Sequence, residues 1–306
     1  MALVPEILTA AGDDAASVTG PPPGRLRLTA KRFVRHKAAV AGAVALAALF
    51  LLAFAGPLLT RWSYSSIDYS ALYQGPTGAH WWGTDPIGHD IYAESVHGLQ
   101  KSLLIGLLVA AFSTVAASLV GACAGYFGGW ADRSLIFVVD LLLVLPGFLI
   151  IALVSPKLRS ASWLALVGLI ALFFWMITAR VIRSMTISLK EQDFVRAARF
   201  MGVHPFRIIL RHILPNVASF LIVDATINVG AAVMTETALS YFGFGVQPPD
   251  VSLGTLISTG TGAALTYPWV FFFPAGLLVV FVLAVNLMGD GLRDALDPTS
   301  DRGRTS

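Results

Sequence analysis

Three carboxylates stand inside stretches that are otherwise apolar: Asp140, Asp224 and Glu236. A charged group in hydrocarbon costs roughly 2.5–3.5 kcal/mol on insertion scales, so each must face a cavity, a partner group or the end of a helix. The chemistry open to them is traffic of protons or solute along a polar path, or hydrogen bonding between helices. For Asp140, with Pro146 following in the same run, the helix–helix or end-of-helix reading is favoured. For Glu236 the two readings stand level. Asn228 and Thr235 read first as polar glue between helices, and Asn228 joins Asp224 and Glu236 as a candidate for a translocation path or gate. Other chemistries lack their residues. No G-x-x-x-x-G-K-[ST] phosphate loop is present. Cys123 is the single thiol, so it makes neither an internal disulfide nor a thiolate metal cluster. No nucleophile–base pair stands in a credible setting.

A second constellation lies at 191–202. Phe194, Ala197, Ala198 and Met201 recur at i, i+3, i+4, i+7 and predict one apolar stripe on a helix, while Glu191, Gln192, Arg196 and Arg199 fill the other faces and Asp193 adds a further acid. Gly202 can terminate that helix in the left-handed conformation. His204-Pro205 can start the next, with Pro at its first position. Pro215 is predicted to separate that helix from the following apolar run. Two readings of the stripe are open: it docks into a groove on a partner, or it packs on this chain's own helix ends or the lipid surface.

The elements that position these residues follow from composition. Of 306 residues 56% are hydrophobic and 13% charged, and mean hydropathy is +0.73. Soluble domains carry roughly 25% charged residues, so the solvent this chain suits is a bilayer. Six apolar runs, near 38–59, 102–127, 135–154, 163–182, 217–234 and 269–288, each approach the ~20 residues that span hydrocarbon as a helix. Backbone polar groups in lipid must be satisfied within the segment, and no barrel alternation is visible, so the fold predicted is all-α and polytopic. It divides into a disordered tail over 1–24, a basic amphipathic stretch and first span over 25–60, an external segment over 61–100, a five-span core over 101–298 and a tail over 299–306. Trp81 and Trp82 in the external segment read as an interfacial anchor.

With six spans both termini share one side, and 17 of the 21 Lys and Arg residues fall there. That bias places both termini in the cytoplasm. It also accounts for a pI near 9.1 without nucleic acid, because the basic residues are dispersed beside membrane ends. The Ala53-Phe54-Ala55 triplet resembles a signal cleavage site, but 37 residues precede the run and it exceeds the length of an h-region, so an uncleaved first helix is expected.

Ala197-Ala198, then Gly202, then Ile213-Leu214-Pro215 resemble the "EAA" loop of ABC importer permeases, with Arg196 where that motif has Glu. Gly83-Thr84-Asp85-Pro86-Ile87-Gly88-His89-Asp90 is similar to the external segment of the peptide and nickel branch, His89 replacing a usual Arg. Leu239-Ser240-Tyr241-Phe242-Gly243-Phe244-Gly245, and the run from Asn286-Leu287-Met288-Gly289-Asp290-Gly291 to Asp297-Pro298, resemble its outer loop and C-terminal signature. The chain is identified as a member of that family's C-type permeases for dipeptides and oligopeptides. The resemblance implies a coupling helix at 191–202, a second permease subunit, two ATP-binding subunits that hold the ATP and magnesium, and an external solute-binding protein. It implies no cofactor on this chain and no catalysis by it. Nickel, haem and other small solutes are the alternative cargoes. A proton-driven secondary transporter is the rival class, and the inverted repeats or broken helices it would carry are not visible in the sequence.

The orientation is testable. In a Cys123→Ser background, Gln247→Cys is expected to react with an impermeant thiol reagent added to intact cells, and Gln192→Cys only after permeabilisation. The reverse labelling pattern overturns the orientation.

Overall fold

The computed structural model describes residues 25–158 and 162–296. The tails expected at 1–24 and 299–306 lie outside the described residues, as do Asp297 and Pro298. Among the described residues twelve α-helices follow one another: α1 (Arg25–Arg35), α2 (Lys37–Ala55), α3 (Ile91–Phe127), α4 (Gly129–Val144), α5 (Gly147–Val154), α6 (Trp163–Phe174), α7 (Met176–Lys190), α8 (Asp193–Phe200), α9 (Pro205–Ile208), α10 (Leu214–Tyr241), α11 (Leu253–Thr261) and α12 (Pro268–Leu296). Among the described residues β structure is limited to two isolated bridges in the external segment, Ile67 with His89 and Thr84 with Asp90. The chain is an all-α polytopic protein.

Among the described residues four helices are long and apolar enough to cross a membrane: Lys37–Leu58, Ile91–Phe127, Pro205–Tyr241 and Pro268–Leu296. Two bent pairs, α4 with α5 and α6 with α7, raise the number to six if each pair is one span. Each apolar run falls in one of these six. The third and fourth are broken, contrary to the continuous helices predicted. The α4–α5 axis turns by 76°, because Pro146 has no N–H to give and pushes Leu145 out of the helical region, to ψ 132°. The α6–α7 axis turns by 45° at Trp175, with neither Pro nor Gly at the break. These breaks lie in consecutive spans, not at matching places in two halves.

Two boundaries also differ. The second span begins at Ile91, not near 102, because Asp90 caps it by accepting the Ala93 N–H at 2.8 Å. The last residues of the predicted external segment are therefore helical. Pro215 does not separate α9 from α10. A π-turn over Ile209–Ile213 precedes it, Pro215 sits in the first turn of α10, and Pro205–Tyr241 runs as one span.

The long α3 is the axis of the bundle, packed on α2, α6, α7, α10 and α12. Lipid offers no hydrophobic drive for helices to associate, so close backbone contact must supply it. Gly121 and Gly125 stand one turn apart on α3 and meet α7 at backbone distance. A Cβ at Gly125 would lie 2.7 Å from the Arg183 carbonyl oxygen, and one at Gly121 would run into that of Ala179. On the outside of the bundle Phe112, Val115, Phe137, Val144, Leu153 and Leu283 face outward, as hydrocarbon permits and water does not. Trp82 stacks on Phe273 with ring centroids 4.7 Å apart and meets Tyr92 edge-on, so this member of the tryptophan pair packs the external segment onto α3 and α12.

Gly121→Ala is expected to destabilise the solubilised protein by about 1–3 kcal/mol, the usual cost of overpacking. Gly168→Ala, whose new Cβ would meet nothing within 4 Å, is expected to be neutral or slightly stabilising. Thermal unfolding in detergent distinguishes the two, and equal melting temperatures would refute the close-contact account.

Candidate functional site

At one end of the bundle α7 delivers the chain to α8. The Lys190 ammonium donates to the Gly125 carbonyl at 3.1 Å, which fixes the end of α7 to α3. Gln192 adopts extended backbone, and α8 follows with Asp193 in its first turn and Arg199 in its last, the order that the helix dipole favours. The helix stops in a Schellman motif. The Gly202 N–H donates to the Arg199 carbonyl and the Val203 N–H to that of Ala198, each at 3.1 Å, with Gly202 at φ +74°. Pro205 then opens α9 at its first position, as predicted.

The predicted stripe divides. Ala198 is buried, and with Val195 it packs on Ala122, Ile182, Ile208, Ile209 and Ile213 of the same chain. Phe194 and Met201 are exposed, at 43% and 75%, and Ala197 is exposed with them. A further aromatic on α8, Phe200, is 88% exposed, and Phe206, at the start of α9, is 54% exposed. The correction has a geometric reason. An eight-residue helix lying on a bundle buries one face, and Val195 with Ala198, an i, i+3 pair, forms it. Glu191, Asp193 and Arg196 are all exposed. Val195, Phe200 and Phe206 escaped the sequence reading, although the 195/198 spacing carries the signal.

The intramembrane carboxylates are each partnered. Asp140 pairs with Arg180, and Asp132 takes Nε and Nη2 of Arg183, so two ion pairs join α4 to α7. The helix–helix reading of Asp140 thereby gains a named partner. Asp224 accepts from Thr178 and from the Asn228 amide, both at 2.9 Å, which links α10 to α7. Glu236 is fully buried. Its carboxylate accepts from Ser102 of α3 at 3.1 Å and Ser240 of α10 at 2.6 Å. Ser252 donates to the Ser240 oxygen, and the Leu253 N–H to that of Ser102, which brings in the start of α11. The Asp224–Asn228 pair and Glu236 stand apart on α10, roughly 12–18 Å along its axis at 1.5 Å per residue. They form separate links between helices and do not converge. Ser102, Ser240 and Ser252 were not legible as members, because lone serines in apolar sequence carry no spacing signal.

At the opposite end, the His80 imidazole is buried between Asp90, 2.9 Å from Nδ1, and Asp68, 3.4 Å from Nε2. Hydrogen bonds from the Ser70 hydroxyl and N–H hold the Asp68 carboxyl below the usual carboxylate range.

Residues 117–302, more than half the chain, match the family described as binding-protein-dependent transport system inner membrane component. Residues 24–76 match the N-terminal TM domain of oligopeptide transport permease C. The chain is 55% identical over 277 residues to the oligopeptide transport system permease protein OppC of Mycobacterium tuberculosis strain H37Rv, covering 90% of this chain and 95% of the relative. It is 35% identical over 272 residues to the dipeptide transport system permease protein DppC of Alkalihalophilus pseudofirmus, 88% of each chain.

Removing the buried acceptor tests its structural part. Glu236→Ala strands two buried hydroxyls, and each unsatisfied group costs roughly 1–3 kcal/mol, whereas Glu236→Gln retains an acceptor. Glu236→Ala is expected to unfold at clearly lower temperature than Glu236→Gln. Equal melting would deny the network a role in holding α11.

Proposed function

The chain belongs to the family of binding-protein-dependent transport system inner membrane components, the permeases of ABC importers, and from that premise we propose that it forms the membrane path of an ATP-driven importer of di- or oligopeptides. The names of the relatives at 55% and 35% identity support the peptide cargo. In this reading the path is shared with a second permease subunit, an external solute-binding protein delivers the peptide, and two ATP-binding subunits supply the energy. ATP and magnesium belong to those subunits. The strong bias of Lys and Arg toward one side supports an orientation with both termini and α8 in the cytoplasm.

The observation that carries the coupling mechanism is the two-faced seating of α8. Its outer face presents Phe194, Ala197, Phe200 and Met201 for a groove on an ATP-binding subunit. Its inner face, Val195 and Ala198, is packed on Ala122 of α3, Ile182 of α7 and the start of the α9–α10 span. Movement of the partner is thereby delivered to three spans at once. The Schellman turn at Gly202 fixes the angle between α8 and α9, so the push is transmitted and not absorbed in a hinge. As the ATP-binding subunits close, the spans shift from inward-open to outward-open and the peptide enters from its binding protein.

Met201→Glu places a charge in what would be a desolvated groove. The variant is expected to reach the membrane and melt like the wild type, yet lose at least about tenfold in copurified ATP-binding subunits and in ATP-dependent uptake of labelled peptide. Ala198→Glu, which charges the chain's own core, is expected to lower the yield of folded permease itself. Wild-type copurification and uptake by Met201→Glu would refute docking through this face.

A further inference from the structure

At the end of the bundle opposite α8, the external segment, the start of α3 and residues 248–251 enclose a cavity of about 510 Å³. Asp85, Glu94 and Asp250 contribute to its wall, and among the described residues no Lys or Arg does. Asp250 is answered from α3 by Lys101 at 2.9 Å. Among the described residues Asp85 and Glu94 have no Lys or Arg partner of that kind. The Oδ1 atom of Asp85 is taken by the N–H groups of Ile87 and His89, at 2.9 and 2.7 Å. Its Oδ2 faces His89 Nδ1 at 3.1 Å, and Glu94 Oε1 lies 3.6 Å from the same nitrogen. Glu94 is more than nine-tenths buried. The neighbouring His80 and Asp90 are occupied with each other.

Two carboxylates and one imidazole therefore crowd a poorly solvated corner, where uncompensated charge is costly. Their three ligand atoms lie within 4.8 Å of one another. Around a tetrahedral zinc with bonds near 2.0–2.1 Å, ligand atoms stand roughly 3.3 Å apart, so the 3.1 and 3.6 Å from His89 Nδ1 need little adjustment, while the two carboxylate oxygens, within 4.8 Å of each other, close on the ion by side-chain rotation. A separate observation points the same way. The Ser95 hydroxyl is buried without a hydrogen-bond partner and lines the same cavity. We propose that Asp85, His89 and Glu94 form a binding site for a divalent first-row metal ion, zinc being the best match to two carboxylates and a neutral imidazole. Binding through Nδ1 displaces any proton on that nitrogen to solvent and leaves Nε2–H as the donor. Two ligands come from the external segment and one from the first turn of α3, so the ion staples the segment to the bundle beside α11. The site is independent of the peptide-import reading.

The test uses the full chain in its assembled complex, freed of any tag, stripped with chelator and titrated with zinc chloride by calorimetry and elemental analysis. One zinc per chain is expected, with magnesium failing to compete. Glu94→Gln is expected to weaken binding at least about tenfold. His89→Arg supplies a fixed positive charge to both carboxylates, so it is expected to fold and melt like the metal-free wild type and take up no zinc. A wild-type complex without saturable zinc uptake, or uptake unchanged in His89→Arg, overturns the site.

Discussion

The backbone contact between α3 and α7 at Gly121 and Gly125 sets the rest of the architecture. In a bilayer apolar side chains gain nothing from leaving lipid for protein, so helices hold together through close packing and polar links. With no side chain at these two positions, α7 can lie along the second half of α3. Lys190 then reaches the Gly125 carbonyl and fixes the level at which the chain leaves the bundle toward α8.

Polar links complete what packing begins, and they tie several different pairs of helices. Ion pairs from Asp132 and Asp140 join α4 to α7, Asp224 joins α10 to α7, and the Glu236 network joins α10 to α3 and α11. An intramembrane carboxylate without a partner would be heavily penalised, so each such bond specifies which helix face meets which. The carboxylates thereby mark the register of the bundle.

The two ends of the molecule are built differently, in keeping with different tasks. At the α8 end a short helix is pinned by Val195 and Ala198 and keeps an aromatic and methionine face open. At the other end the external segment is folded down by stacked rings and buried histidine–carboxylate pairs, with Trp269 donating to the Thr84 carbonyl across the start of α12. An exposed apolar face suits a partner that stays seated on it. A polar, cross-linked cap suits a surface that must keep its shape while the spans beneath it move.

The sequence by itself determined the solvent, the helical class, the six apolar runs and the short helix ended by Gly202, because each depends on composition or local spacing. Hydrocarbon thickness sets run length, and a positive φ selects glycine, whatever the rest of the chain does. Only the tertiary structure decided which face of α8 is spent on the chain's own core, since Val195–Ala198 and Phe194–Ala197–Met201 are equally good apolar patterns until Ile182 and Ile208 are in place. It alone supplied Arg180 to Asp140 and Ser102 to Glu236, from helices 40 and 134 residues away in sequence. It also bent the fourth span at Trp175, where no local breaker stands. Hydrophobic spacing records which residues shun water, but the choice of neighbour belongs to distant surfaces that meet only when the bundle closes.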